Sequence, residues 1–238
     1  DGSYAHDGRE VRGELALDRN GNLSAVAFAR FHRSDRWQTV LSLRALSPAY
    51  VAPYARVGQD GNRAQNEIGI SGAMCYAGFR NSQIRGFIDA FRHPRPTFRA
   101  AAPSVGMAAG LEWEHRRGEW GQLLRYRVKS KQQTIAGFAP HLEFCTTHRL
   151  RARWSYEISR WSWQASLDAT AFHRQTRPQP RWGVMASFRS KVAISSIWQA
   201  VLFGAAFSAP DFSARLFAYE PQLRGRGAFP AFYGRGFA

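Results

Sequence analysis

The stretch "THRLRARWSYEISRWSWQASLDATAF", residues 147–172, alternates with a period of two: Arg149, Arg151 and Arg153 are interleaved with Leu150, Ala152 and Trp154. Side chains of a strand point to opposite faces in turn, so this pattern sorts arginine to one side and apolar groups to the other. The neighbouring segment repeats it, with Leu124, Tyr126 and Val128 between Arg125, Arg127 and Lys129. Helical periodicity is hard to find anywhere, whereas two-residue alternation recurs about a dozen times between Gly, Pro, Asn, Ser or charged clusters.

The chain is therefore read as all-β, with strands predicted at 10–18, 22–31, 37–46, 66–77, 82–92, 106–116, 119–129, 146–158, 161–172, 181–189, 193–207, 213–220 and 229–237. Short connections, "HRSDR" (32–36), "GFRN" (78–81), "RRGE" (116–119), "SR" (159–160) and "RSK" (189–191), follow every second strand. Longer ones, 47–65, 93–105, 130–144 and 173–180, fall between them. "DRNGN" (18–22) and "PQLRGRGA" (221–228) break this parity. In an up-and-down meander it puts tight turns at one end and long loops at the other, as transmembrane barrels do, whereas a Greek-key sandwich has no reason to keep it.

The arginines decide which face meets what. On a lipid-facing side each would cost about 2–4 kcal/mol at mid-bilayer, so the inexpensive arrangement turns Leu150, Ala152 and Trp154 to lipid and the arginines to a wet lumen. A half-buried soluble sheet with a solvated basic face satisfies the same alternation. Trp37, Trp113, Trp120, Trp154, Trp161 and Trp163 cluster beside the tight turns, as an interfacial aromatic girdle would; cross-strand aromatic pairing is the alternative account.

Composition narrows the partners. A formal charge of +16 over 238 residues, 45% of them hydrophobic, attracts anionic solutes, anionic lipid or nucleic acid. All but Lys129, Lys131 and Lys191 of the 33 basic residues are arginine, a bias that a GC-rich genome explains as well as phosphate binding does. Cys75 and Cys145 supply neither a disulfide framework nor a paired metal motif. No run approaches the roughly 18 apolar residues of a membrane helix. The start, "DGSYAHDGRE", has no signal-peptide core, so the chain is expected to be a protein that is not exported, a mature form, or a piece of something longer.

No catalytic constellation emerges, and no enzyme activity or cofactor is expected. "GISGA" (69–73) lacks the second glycine of a nucleophile elbow. Glu112 and Glu114 share a strand face, but beside so many arginines they are read as a salt-bridged wall, as are Asp89, Glu157 and Asp168. His141, Glu143 and Cys145, with His148 nearby, are zinc-ligand types at a spacing that matches no established motif, and no metal site is assigned. "YGRGF" (233–237) reads as a strand with small residues. Binding of single-stranded nucleic acid needs arginine and tryptophan on one face; the alternation puts them on opposite faces.

Residues 50–69, "YVAPYARVGQDGNRAQNEIG", with Tyr50, Pro53, the Asn66-Glu67 pair and Gly69, resemble a segment of the Gram-negative outer-membrane barrel proteins that carry a helix-hairpin-helix region ahead of the barrel. "DAFRHP" (89–94), "LRYRVKSK" (124–131), "RLFAYE" (215–220) and "FPAFYGRG" (229–236) are similar to later pieces of that barrel in the same order. The resemblance covers residues 40–238 and implies architecture rather than activity. The helix-hairpin-helix segment is absent, and thirteen strands is an odd count where single-chain bacterial barrels are even, so an incomplete barrel is expected.

Together these readings give one domain over residues 1–238: an antiparallel up-and-down transmembrane barrel of 12–14 strands in the bacterial outer membrane. It is expected to be porin-like, with outer-membrane lipid outside and an anionic solute or polyanion inside. Its lumen ladder is expected to comprise Arg125, Arg127, Lys129, Arg149, Arg151 and Arg153. The alternatives are a non-conducting outer-membrane scaffold, a DNA-handling component, and a soluble basic β protein that binds nucleic acid.

Overall fold

A computed structural model describes residues 2–51, 58–61, 63–135, 140–217, 220–221, 227–228 and 231–237. Thirteen strands form one antiparallel sheet in which chain neighbours pair: β1 (Gly2–His6), β2 (Arg9–Leu17), β3 (Leu23–Ser34), β4 (Trp37–Leu46), β5 (Glu67–Phe79), β6 (Ser82–His93), β7 (Ser104–Arg117), β8 (Trp120–Ile135), β9 (His141–Ile158), β10 (Trp161–Arg174), β11 (Arg177–Ala193), β12 (Gln199–Ala209) and the closing β17 (Gly234–Phe237). Among the described residues β1 and β17 each pair on one side only, so the sheet has two edges. Between β12 and β17 the chain makes a 3-10 turn, Phe212–Ala214, then four two-residue strands: β13 (Leu216–Phe217), β14 (Glu220–Pro221), β15 (Gly227–Ala228) and β16 (Ala231–Phe232). These pair β13 with β16 and β14 with β15.

The expected meander is present, and several boundaries move. β1 was not anticipated; it is joined to β2 by Asp7 (φ 46°) and Gly8 (φ 72°), the mirror-image turn that matches strand twist. The predicted long loop 173–180 is a two-residue turn, Gln175–Thr176, and the predicted tight turn 189–191 lies inside β11, whose turn is 194–198. The loop placed at 130–144 shrinks to 136–140, because β8 continues to Ile135 and β9 begins at His141; residues 136–139 lie outside the described residues. The predicted strand 213–220 starts as the 3-10 turn, and of 229–237 only Gly234–Phe237 joins the sheet. Two-residue turns therefore follow β1, β3, β5, β7 and β9, while the connections at the other end differ in length, among them 47–66, whose residues 52–57 and 62 lie outside the described residues, and 94–103.

Contacts gather into two units: Asp1–Gly78, Ile84–Gly110 and Lys129–Cys145 in the first, and Phe79–Gln83, Leu111–Val128 and Thr146–Ala238 in the second. In the first, exposed Leu41, Leu43, Ile68, Ile70, Met74 and Ile88 share one sheet face. The opposite face buries Arg44, Glu67 and His93. In the second unit Leu150, Trp154, Leu167, Trp182, Val184, Phe188 and Leu202 are exposed on the apolar face. The hydrophobic cluster of Met185, Ala205, Ala209, Leu216 and Phe232 sits on the other.

That arrangement is inverted relative to a water-soluble domain, in which large aliphatic residues fill the core and charges stay outside. Among the described residues, Glu67 and Arg44 are large side chains buried to 1% exposure, and both are charged. Extended exposed apolar faces mark protein- or membrane-interaction surfaces rather than an ordinary soluble exterior.

Close packing on the polar face depends on glycine. Gly69 pairs opposite Arg44 in the β4–β5 register, and a Cβ there would stand 2.6 Å from the Arg44 Nη2. Gly69→Ala is expected to displace the guanidinium from its buried carboxylates and to destabilise the fold by about 3 kcal/mol, the scale of breaking a buried ion pair. Urea unfolding of the refolded protein in detergent, followed by tryptophan fluorescence, measures it.

Candidate functional site

The sequence supplies many arginines, and a strand can hold their guanidinium groups out of bulk water only if carboxylates arrive from neighbouring strands. In the first unit they do. Arg44 on β4 has 1% side-chain exposure; its Nε donates to Glu67 at 2.6 Å and its Nη1 to Asp89 at 2.8 Å. Glu67, at the start of β5, also accepts the backbone N–H of Asp60 at 2.9 Å, which draws the loop after residue 58 onto the sheet.

The Asp60 carboxylate, 3% exposed, then takes Lys129, Lys131 at 3.0 Å and His93 at 3.6 Å. Burial pushes its carboxyl up, but the bonds from His93 and Lys129 and the charge of both lysines outweigh this and hold it well below the usual carboxylate range. Asn66, left-handed at φ 57°, fastens the next loop: its amide donates to the Arg95 carbonyl at 2.9 Å and its side-chain oxygen accepts the Arg95 N–H. Three carboxylates thus meet Arg44, Lys129 and Lys131, leaving this cluster nearly neutral.

The second unit has the opposite balance. Arg125 on β8 is paired with Glu112 on β7, and Arg151 on β9 with Asp168 on β10 at 2.5 Å. Arg151 also donates to the Phe217 carbonyl at 3.3 Å. Arg149 lies 5.7 Å from the Phe217 ring centroid, and Arg215 lies 5.6 Å from it and 4.3 Å from that of Phe212, as cation–π contacts.

The segment carrying Arg215 is held at its start by Asp211, which caps the 3-10 turn through the Ser213 N–H and hydroxyl at 2.8 and 2.6 Å. Those bonds, with the charge of Arg181, lower the Asp211 carboxyl. A Cβ at Gly183 would collide with the Ala214 carbonyl oxygen, so the segment lies directly on β11. Together Arg125, Arg127, Arg149, Arg151 and Arg215 line a cavity of about 140 Å³, where Asp168 is the carboxylate among the described lining residues.

Of the six ladder residues expected from sequence, Arg125, Arg127, Arg149 and Arg151 line this cavity. Arg153 is half-buried, and its Nε makes no hydrogen bond. Lys129 belongs instead to the Asp60 cluster of the first unit. Of the five acids expected in a salt-bridged wall, Asp89, Glu112, Asp168 and Glu157 each pair with an arginine, Glu157 with Arg116 at 3.3 Å. His148 bonds to the Tyr126 hydroxyl at 2.7 Å and stacks on His173. Among the described residues no three metal-ligating side chains come together.

Asp60, Arg44, His93 and Arg215 were not singled out as site residues by the sequence. The first sits in a glycine-flanked turn that looks like any solvated loop, and the partners of Arg44 lie 23 and 45 residues away. Three of the tryptophans form an aromatic band on the apolar face of the second unit: Trp120 packs on Tyr156 and Trp163, Tyr156 on Trp161, and Trp163 on Phe188, while Trp37 packs on Tyr76 in the first unit. The Trp161 Nε1 donates to Ser190 at 2.9 Å. Comparison with protein-family models, curated proteins and solved structures finds no match.

Because the folded-state carboxyl of Asp60 is depressed, its contribution is fully present above the ordinary aspartate value of about 3.9 and fades as pH falls through the lower folded value. The wild-type protein is expected to lose stability more steeply between pH 5 and pH 2 than Asp60→Asn, with the two converging in acid. Urea midpoints across that range measure the difference.

Proposed function

We propose that this chain forms the wall of a β-barrel in a bacterial outer membrane, with the leucine- and tryptophan-bearing face on lipid and the arginine-bearing face lining a hydrated, anion-favouring interior. The observation that carries this reading is the inverted partition, with large aliphatic and aromatic side chains exposed on one face and paired charges buried on the other. Hydrocarbon covers the first face without cost, and water or counter-ions serve the second. The aromatic band fits an interfacial girdle. The excess of guanidinium over carboxylate in the second unit would favour anions over cations, as rings of arginine do in pores.

A non-conducting scaffold is the second reading, and one feature favours it. The segment 211–217 lies on the polar face and is tied there by Arg151, and the ion pairs lace neighbouring strands together, so the interior of such a barrel would be partly filled. A soluble nucleic-acid binder draws less support. Trp154 is on the opposite side of β9 from Arg151 and Arg153, so bases could not stack where phosphates are gripped.

Fractionation of cells expressing the full-length product tests the membrane assignment: the protein is expected in the detergent-extracted outer membrane. Recovery in the soluble pool, with salt-sensitive DNA or RNA binding, would contradict it. In planar bilayers the pore reading expects a preference for chloride over potassium that Arg149→Glu lowers; a folded protein that passes no current favours the scaffold.

A further inference from the structure

We infer that the tight-turn end of the second unit is a docking surface for the phosphate headgroups of anionic phospholipid. The inference rests on the membrane reading above and adds to it which lipid that end selects. Three two-residue turns belong to this end, Arg80–Asn81, Gly118–Glu119 and Ser159–Arg160. With the residue on either side they carry three exposed arginines, Arg80, Arg117 and Arg160, and one acid, Glu119. Arg116 and Glu157, each one residue further in, pair with each other.

The same positions supply Phe79, Trp120, Ile158 and Trp161, all exposed. Basic and apolar groups therefore share one rim, and a lipid headgroup region is the surface that serves both. Guanidinium offers phosphate a planar fork of donors, while aromatic and aliphatic groups beside it enter the boundary between headgroups and acyl chains. A free anion would leave the apolar half of this rim in water, and so would a nucleic acid at Ile158.

The connection between β11 and β12, at the same end, strengthens the choice. Its turn, 194–198, is apolar where the others are charged, with Ile197 87% and Trp198 72% exposed. The Ser195 hydroxyl accepts the N–H groups of Ile197 and Trp198 at 3.2 and 3.0 Å, and the Ile194 N–H donates to the Trp198 carbonyl at 2.9 Å, so the tip holds its shape without a partner. It sits beside an arginine-bearing turn, because the Ala193 N–H donates to the Arg160 carbonyl at 2.8 Å.

Each of the three charged turns is tied to the next hairpin in the same way. The Asn81 carbonyl accepts the Arg116 N–H at 2.8 Å, and the Glu119 carbonyl accepts the Glu157 N–H at 3.0 Å. Turns fixed like this present their side chains from a set base, which lowers the ordering that docking requires. The first unit repeats the association on a smaller scale: exposed Arg33 and Arg36 precede Trp37, which packs on Tyr76.

The experiment is tryptophan quenching in the full chain folded into vesicles of phosphatidylglycerol and phosphatidylcholine, one of the two carrying brominated acyl chains. Trp120, Trp161 and Trp198 place reporters at the surface in question. Swapping the brominated lipid gives the ratio of the two binding constants, and a preference for phosphatidylglycerol of roughly threefold or more is expected at low ionic strength. Arg117→Gln should at least halve it. Arg80→Gln, Arg117→Gln and Arg160→Gln together should bring the ratio to parity. Arg12→Gln, which removes one charge from the polar face of β2, should leave it unchanged.

Circular dichroism and the migration of unboiled samples on gels report folding of each variant. Equal quenching by the two lipids in the wild type overturns the inference and leaves the membrane reading standing. Quenching by neither removes the membrane reading, and the inference with it. A preference that survives the triple substitution, or that Arg12→Gln lowers as much as Arg117→Gln does, belongs to the net charge of the chain and also overturns the inference. Parity between the lipids, together with capture of a single-stranded DNA oligonucleotide that the triple substitution abolishes, would assign these turns to nucleic acid instead.

Discussion

A two-residue period leaves each strand one decision, which face takes the charges, and everything else in this protein follows from it. Once Arg44, Arg125 and Arg151 are on one side, Glu67, Glu112 and Asp168 must stand beside them on adjacent strands, and Asp89 one strand further on, because a guanidinium withdrawn from water without a carboxylate is costly. The register of β4 on β5 is fixed by this requirement as much as by backbone bonding. Gly69 lies beside Arg44 so that the guanidinium can pass over it to reach Glu67. A slip of one residue would send these charges to the apolar face.

The same constraint explains how loops are recruited. Residues near 60 and the segment 211–217 could each lie in solvent, yet both return to the polar face. Asp60 is drawn in by two lysines and a histidine, and the 211–217 segment by Arg151 and by the apolar patch of Met185, Ala205 and Ala209. In the first case the loop brings the missing negative charge and neutralises its cluster. In the second it brings another arginine, and the positive excess grows. The two units thus use one chemistry with different outcomes, a loop latched by its carboxylate in the first and a segment laid against arginines in the second.

Much of the meander was legible in the sequence because alternation is a direct image of a strand's two faces. β4, β6, β9 and β10 fall within a few residues of where the pattern puts them, β9 starting five residues early. Misreadings came from residues with two meanings. Pro178 and Pro180 suggested a loop, but they lie where the β10–β11 register shifts, between Phe172 and Arg174 on the partner strand, and an irregular stretch tolerates a residue with no N–H to give. Ser190, in what looked like a polar turn, accepts a bond from Trp161 inside β11.

Local pattern could not reveal the Asp60 latch, since its partners lie 33, 69 and 71 residues along the chain. In the sequence the Asn66-Glu67 pair and Gly69 carry no local signal of the roles they take in the fold. Asn66 takes the left-handed conformation and secures the loop after β6, Glu67 holds Arg44, and Gly69 gives the guanidinium room.

The most direct measurement of which face meets hydrocarbon is a spin-label scan of residues 148–156 in lipid vesicles, one cysteine at a time, with Cys75 and Cys145 first replaced by serine. Collision with oxygen, which concentrates in the bilayer, should peak at positions 150, 152 and 154. Collision with a water-soluble nickel chelate should peak at 149, 151 and 153. Two profiles rising and falling in phase, or the chelate reaching 150 and 154 as readily as 151, would mean that water covers the apolar face and would contradict the account.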